Sequence, residues 1–314
     1  MIRNFIFHSV VPQVNDPSLQ MNLVLFEKCI QFICSRYEVI CIEDVMEPDS
    51  LVRKQKPFAS LTFDDGFKDN IIYAAPILKK YNCRASFYVV TNCVEENQPP
   101  WSFMLEYLVT HTHVKDVVLD GKLIPRELRL KSLSPDMKQR MAHFKKLKSW
   151  LKKIPVERKE VIFKDLCSQM NDVKLPDLMM DWNDLAALRK AGHYIGSHTH
   201  THNSLTMMES ASMLKEELSR PRELIKKHLG YEPVSIAYPF GFYNEKVKIA
   251  SADAGYAMGI AADKHQIFYI GKHDYFEIPR IALCSEPWYK TKLRITNRIE
   301  QIKSLLPTRL ISKR

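Results

Sequence analysis

Residues 58–67 read FASLTFDDGF, a strand-like run that ends in two adjacent carboxylates, Asp64 and Asp65, followed by a glycine. A short run of this kind predicts a buried strand. In parallel α/β folds the C-terminal edge of the strands carries the active site, which is where this strand would leave its two acids. Neighbouring side chains on an extended backbone point in different directions. One carboxylate can therefore bind a cation while the other faces a reactant, although a solvated Asp-Gly turn would be written with the same letters.

Outward from this stretch, strand-like and helix-like runs alternate. Before it come the apolar NFIFHSV (4–10), a helical pattern in LVLFEKCIQFICSRY (23–37) and the short strand EVICI; after it come the helix-like NIIYAAPILKKY (70–81) and the strand RASFYVV (84–90). The alternation resumes with a helix over WNDLAALRKAGH (182–193), the strand YIGS, and a long helical segment at 209–230 that Pro221 is expected to split or kink. SIAYPFG, a helix near NEKVKIASADAG, the strand YAMGI and FEIPRIAL close the pattern. Such β-α alternation predicts the α/β class, with parallel strands covered by helices. Residues 94–180 break the rhythm and read as a helical insertion into one βα connection, its basic segment 137–154 presenting a solvated helix face.

The chain has 314 residues, 46% of them hydrophobic, and a net charge of +10 that favours anionic partners such as nucleic acid, lipid headgroups or anionic glycans. Much of that charge lies in residues 289–314, with eight Lys or Arg and one acid, Glu300. There Leu293, Ile295, Ile299, Ile302, Leu305 and Leu306 approximate an apolar helical stripe. The stripe suits either packing on the body of the fold or peripheral contact with an anionic membrane. Seven cysteines form no CxxC pair and lie mostly in apolar runs, which implies reduced core thiols. With no signal-peptide pattern and no apolar run of membrane-spanning length, the expectation is a cytoplasmic protein.

The segment IGSHTHTHNSL (195–205) carries histidines at 198, 200 and 202. On a continuous strand all three would share a face. On a helix His198 and His202 would pair and His200 would point away. Catalytic zinc typically takes three protein ligands and keeps one open position. Under the helical reading a carboxylate from elsewhere must be the third ligand, and Asp65 is the natural one.

TFDDGF, then GSHTHTH, then AYPFG together resemble the motifs of the polysaccharide deacetylase family with the NodB-homology domain, carbohydrate esterase family 4. The resemblance covers about residues 4–285 apart from the insertion. It implies a distorted (β/α) barrel of about seven strands over residues 1–285, interrupted at 94–180 and followed by a basic amphipathic tail at 286–314. It also implies a divalent metal, usually Zn2+, held by Asp65, His198 and His202, with Asp64 as general base. In the family's third motif an arginine orients the catalytic carboxylate, but Ala237 stands at its place here. Arg280, in FEIPRIAL, is the expected substitute. The Phe240 amide would donate to the developing oxyanion, and Tyr238 would be a groove wall or a core aromatic.

A late Leu-x-His motif that commonly bears a catalytic histidine is absent, since His273 is the last histidine. Some members are circularly permuted, with that strand at the N-terminus, and FIFHSV matches the arrangement. His8, otherwise a hydrogen-bonded core histidine, then becomes the general acid. The implied activity is hydrolytic deacetylation of an N-acetylated sugar in a poly- or oligosaccharide or its precursor. Alternatives are deacylation of a lipid-linked amino sugar at the cytosolic membrane face, or an inactive carbohydrate-binding protein. For nucleic acid there is charge but no recognised motif.

Overall fold

In the computed structural model, which describes residues 1–17, 19–47, 51, 56–119, 121, 124–261 and 267–298, the sequence pattern becomes alternating strands and helices. The first part contains β1 (Ile2–Phe7), β2 (Ser9–Val11), β3 (Gln20–Asn22), α1 (Leu23–Arg36), β4 (Glu38–Ile40), β5 (Phe58–Phe63), α2 (Ala75–Lys80) and β6 (Ser86–Val89). Four helices then intervene: α3 (Thr91–Glu96), α4 (Trp101–His111), α5 (Met137–Leu151) and α6 (Val156–Gln169). The last part contains α7 (Trp182–Lys190), β7 (Tyr194–Ser197), α8 (Ala211–Leu229), β8 (Ser235–Ala237), α9 (Glu245–Asp253), β9 (Met258–Ile260), β10 (Ile281–Ala282) and α10 (Trp288–Ile295).

The main sheet is parallel, in the order β10-β1-β5-β6-β7-β8-β9, with β4 also paired to β5. The residues before β10 bridge back to β9 at Ile260 and Ile278, so seven strands curl into the distorted (β/α) barrel expected from the sequence.

The two-residue period of a strand sorts side chains into two layers. Phe7, Phe63 and Phe87, neighbours in register on β1, β5 and β6, stack with ring centroids 5.3 and 4.7 Å apart. Phe26 of α1 meets Phe7 edge-on at 5.2 Å. Each such pair adds roughly 0.5–1.5 kcal/mol beyond the area it buries. The alternate residues form a polar interior. Ser60 Oγ donates to Asn4 Oδ1 at 2.8 Å, and Ser86, Tyr88 and Ser235 each donate at 2.6 Å to the buried carboxylate of Glu43. The aromatic ladder stands one residue before His8 and Asp64, and so holds the two strand ends that present them.

Where Pro221 was expected to split or kink it, α8 is not split: it runs on through Pro221 and ends at Gly230. An interior proline costs about 3 kcal/mol. Leu214, Leu218, Leu224 and Ile225 are buried on this helix, and at about 1.5–3 kcal/mol for each fully buried apolar side chain their packing outweighs the loss. Packing is equally tight at Gly259 of β9, where a Cβ would lie 2.0 Å from the Tyr238 phenol oxygen and 2.5 Å from its ring. Gly259→Ala is expected to lower stability by roughly 1–3 kcal/mol through overpacking. The measurement is a lower urea midpoint at unchanged slope, and an unmoved midpoint contradicts the close approach.

The helices between β6 and α7 bury an apolar cluster of their own, including Trp101, Leu105, Phe144, Leu147, Leu151 and Leu166, with Phe240 packed against it. Most lysines of α5 are exposed as the sequence implies, but Lys148 is half-buried, as is Lys152 just beyond the helix. At the far end, Ile295 is fully buried and Trp288 packs edge-on against Phe32 at 5.4 Å, so the start of the tail lies on the barrel. The stripe positions from Ile299 onward lie outside the described residues. Among the described residues no helix is long and apolar enough to cross a membrane.

Candidate metal centre and active site

At the end of β5 the chain turns through two left-handed residues, Asp65 (φ 75°) and Gly66 (φ 86°). Aspartate tolerates this conformation better than most side chains, and glycine has no Cβ to oppose it. DDG is therefore the sequence of a sharp reversal, and it parts the two carboxylates. Asp64 turns to Arg280 and Asp65 to the histidines.

HTHTH forms neither a strand nor a helix, so neither periodicity governs it. Residues 198–204 are irregular, with Thr199 (φ 69°) and His202 (φ 58°) left-handed. That backbone brings His198 and His202 together, ring centroids 4.9 Å apart, and turns His200 away to Thr91 Oγ1 at 2.9 Å. Glu217 of α8 clamps the loop by accepting from the Thr201 amide at 2.6 Å, and Trp101 Nε1 donates to His202 O at 3.1 Å. With Phe240 (φ 59°), four non-glycine residues around this one site have positive φ. Strain of this kind, of order 1–3 kcal/mol per residue, collects at functional sites because surrounding structure must hold it.

One oxygen of Asp65, Oδ1, lies 3.3 Å from His202 Nε2 and 3.5 Å from His198 Nε2. It is buried without a hydrogen bond, and the three donor atoms lie within 4.8 Å of one another. His198 Nδ1 faces the Ala237 carbonyl at 2.8 Å, so that nitrogen carries the proton and Nε2 presents its lone pair. Burial pushes the His202 imidazolium down to about 3, which leaves this ring neutral at neutral pH. Burial also opposes ionisation of Asp65, but His202 and His198 outweigh it and hold the carboxyl well below its usual range. For His198 the balance runs the other way: Asp64 and Asp65 raise it despite burial, so a cation would take the place of a proton there. Two imidazoles and a carboxylate, buried and under-satisfied, fit a divalent cation.

Beside this cluster, Arg280 grips Asp64 through two parallel hydrogen bonds, Nη1 to Oδ1 at 2.6 Å and Nη2 to Oδ2 at 2.7 Å. Arg280 is no surface arginine, being fully buried with Nε donating to Ala261 O at 3.1 Å. Burial alone would raise the Asp64 carboxyl; Arg280 and then His198 bring it below the ordinary value. Asp64 Oδ2 is 3.6 Å from His198 Nε2, so this carboxylate borders the three-residue cluster.

His8 follows β1, whose last residue pairs with the last of β5, and Phe7 O accepts the Asp64 amide at 3.1 Å. Half-buried, it lines one cleft of about 480 Å³ together with Asp64, Asp65, His198, His202 and Arg280. Asn70 Nδ2 donates to His8 O at 2.8 Å, while Asp69 takes Ser9 Oγ at 2.5 Å and the Val10 amide at 3.0 Å. Phe240 and Tyr238 also border the cleft, but the Tyr238 ring is fully buried and its hydroxyl donates to Phe276 O at 3.2 Å.

With that geometry, a profile of the polysaccharide deacetylase family matches residues 52–259, about two thirds of the chain. The chain belongs to the polysaccharide deacetylase family. The matched span contains Asp64, Asp65, His198 and His202; β1 with His8 and β10 with the preceding Arg280 lie outside it. No curated protein matches the chain in sequence. Among solved structures it is similar to the Streptococcus pyogenes deacetylase PplD in complex with acetate (TM-score 0.61, 17% identity, covering 95% of this chain and 96% of that one). It is also similar to IcaB from Ammonifex degensii (0.59, 13%, 94% and 96%) and to a de-N-acetylase from Aggregatibacter actinomycetemcomitans (0.56, 16%, 94% and 99%). At these identities the likeness is one of fold.

Several residues that shape this candidate site were not singled out by the sequence. Asp69 and Asn70 follow the DDG turn closely enough to have drawn notice, since a polar pair opening a helix often bonds backbone elsewhere. Glu217 and Trp101 carried no such signal, because each acts across a long sequence separation. The cleft also takes Ser102, Phe103 and Glu106 from α4, Lys148 from α5 and Lys152 from the turn after it, so the helices between β6 and α7 wall the cleft.

Proposed function

We propose that this protein hydrolyses the acetamide of an N-acetylated sugar in a poly- or oligosaccharide or its precursor, with a divalent cation, best matched by Zn2+, at Asp65, His198 and His202. The observation that carries the reading is the convergence of those three donors beside the Asp64–Arg280 pair. Their N, N, O set is one that catalytic zinc sites use. A cation bound there would polarise the acetamide carbonyl and acidify a water.

The chain's own groups divide the remaining work. Asp64, held ionised and oriented by Arg280, takes the proton of the attacking water. The Phe240 amide donates to the oxyanion as the carbonyl becomes tetrahedral. His8, on the same rim as Asp64, delivers a proton to the departing nitrogen, which is a very poor leaving group as an anion; an imidazole suits this near neutral pH. The products are acetate and a free amino sugar.

The test is acetate release over free, nucleotide-linked and lipid-linked N-acetyl sugars, with added zinc and after chelation. Release that zinc restores to the chelated protein is expected. Full activity after complete metal removal would rule out the metal, and no acetate from any of the three substrate classes would rule out the activity.

A further inference from the structure

We infer that Lys152 forms a subsite for an anionic group, a phosphate or a carboxylate, carried by the sugar close to its acetamide. This rests on the deacetylase reading above and names the substrate class more narrowly. Lys152 belongs to the insertion, directly after α5, and its ammonium stands in the cleft 4.0 Å from the centre of the Phe240 ring. A ligand whose carbonyl lies against the Phe240 amide would therefore have this charge within reach of its neighbouring substituents.

The charges of the cleft single it out. Arg280 is paired with Asp64, Lys148 with Glu106 and Arg294 with Glu286. Among the described residues no carboxylate lies within ion-pair distance of Lys152; the π face of Phe240 is against its ammonium, and Asp65 and Glu106 act on it only from farther off. A cation–π contact of this kind replaces only part of the hydration that a half-buried ammonium gives up. Burial, and then the proximity of Lys148, lower the ammonium to about 8 against the weaker pull of Asp65 and Glu106, so it remains largely protonated at neutral pH without an ion-pair partner. Once a cation occupies Asp65, the nearby carboxylate that now offsets Lys152 is itself neutralised. An anion on the substrate completes the balance.

The experiment measures binding and turnover of three probes by the full zinc-loaded chain: N-acetylglucosamine 1-phosphate, N-acetylmuramic acid and the uncharged methyl glycoside of N-acetylglucosamine. Binding is followed by calorimetry and turnover by acetate release. At least one anionic probe is expected to bind about tenfold or more tightly than the glycoside, the scale of a charge-assisted hydrogen bond. Which anionic probe gains distinguishes phosphate from carboxylate. Lys152→Met should abolish the preference and Lys152→Arg should keep it. Equal or undetectable binding of all three probes overturns the subsite. So does a Lys152→Met variant that loses kcat equally on charged and neutral probes at unchanged KM, which would assign the amine to the transition state. Charge-selective binding without acetate release would instead leave the subsite standing and refute the deacetylase reading.

Discussion

Asp64→Asn is expected to lower kcat for acetate release by about 10²–10⁴-fold, the range that a positioned proton acceptor supplies. The amide keeps the shape of the carboxylate and loses both its charge and its basicity. The same change removes the anion from a buried bidentate pair with Arg280, and an uncompensated buried guanidinium costs about 3–5 kcal/mol. Stability and metal content must therefore be measured beside the rate. A folded, zinc-loaded Asp64→Asn protein that retains a tenth or more of the wild-type kcat would remove Asp64 from its role. In that event the Asp64–Arg280 pair would be a structural brace alone.

The second large effect is expected at Asp65. Asparagine is the informative replacement, because it tolerates the left-handed backbone at φ 75° that alanine would strain. Asp65→Asn keeps an oxygen in place but discards the negative charge that pairs with a cation. Zinc titration against a chromophoric competitor should show weakened binding. Activity without added metal should fall at least about a thousandfold, since a Lewis-acid cation is worth several kcal/mol of barrier. Stoichiometric zinc with undiminished turnover in this variant would exclude Asp65 as a ligand. The two variants fail in different ways, one with metal retained and one with metal lost, and that separation tests whether the adjacent acids divide two tasks.

Much of this was legible in the sequence because it depends on local chemistry. FASLTF is a strand over the very residues that its apolar run marks. The alternation of runs also carries through to a parallel sheet. DDG announces its turn because two left-handed residues in succession leave few alternatives to Asp-Gly. The resemblance to the deacetylases singles out Asp64, Asp65, His198 and His202 from sequence motifs alone, and the fold brings these four together.

The histidine segment shows where local reasoning stops. Strand and helix periodicities were the two available templates, and the backbone follows neither. His198 and His202 converge through left-handed turns at Thr199 and His202 that Glu217 and Trp101 hold from elsewhere in the fold. A pattern with a fixed repeat cannot express such a path. Pro221 is the converse case, a local breaker overruled by the packing of α8.

The sequence by itself determined the class of the fold, the order of its elements and the residue types able to hold a metal. Each follows from periodicity, turn chemistry or motif, within a few residues of chain. Only the tertiary structure decided that His8, Asp64 and Arg280 line one cleft, that the Arg280 guanidinium pairs with Asp64, and that Lys152, just beyond α5, faces the same cleft. Those relations join residues far apart in sequence, Asp64 and Arg280 being separated by 216 positions. They exist only because parallel pairing sets β1 between β5 and β10, which puts His8 and Asp64 at one edge and lets Arg280, at the start of β10, reach Asp64 with its long side chain.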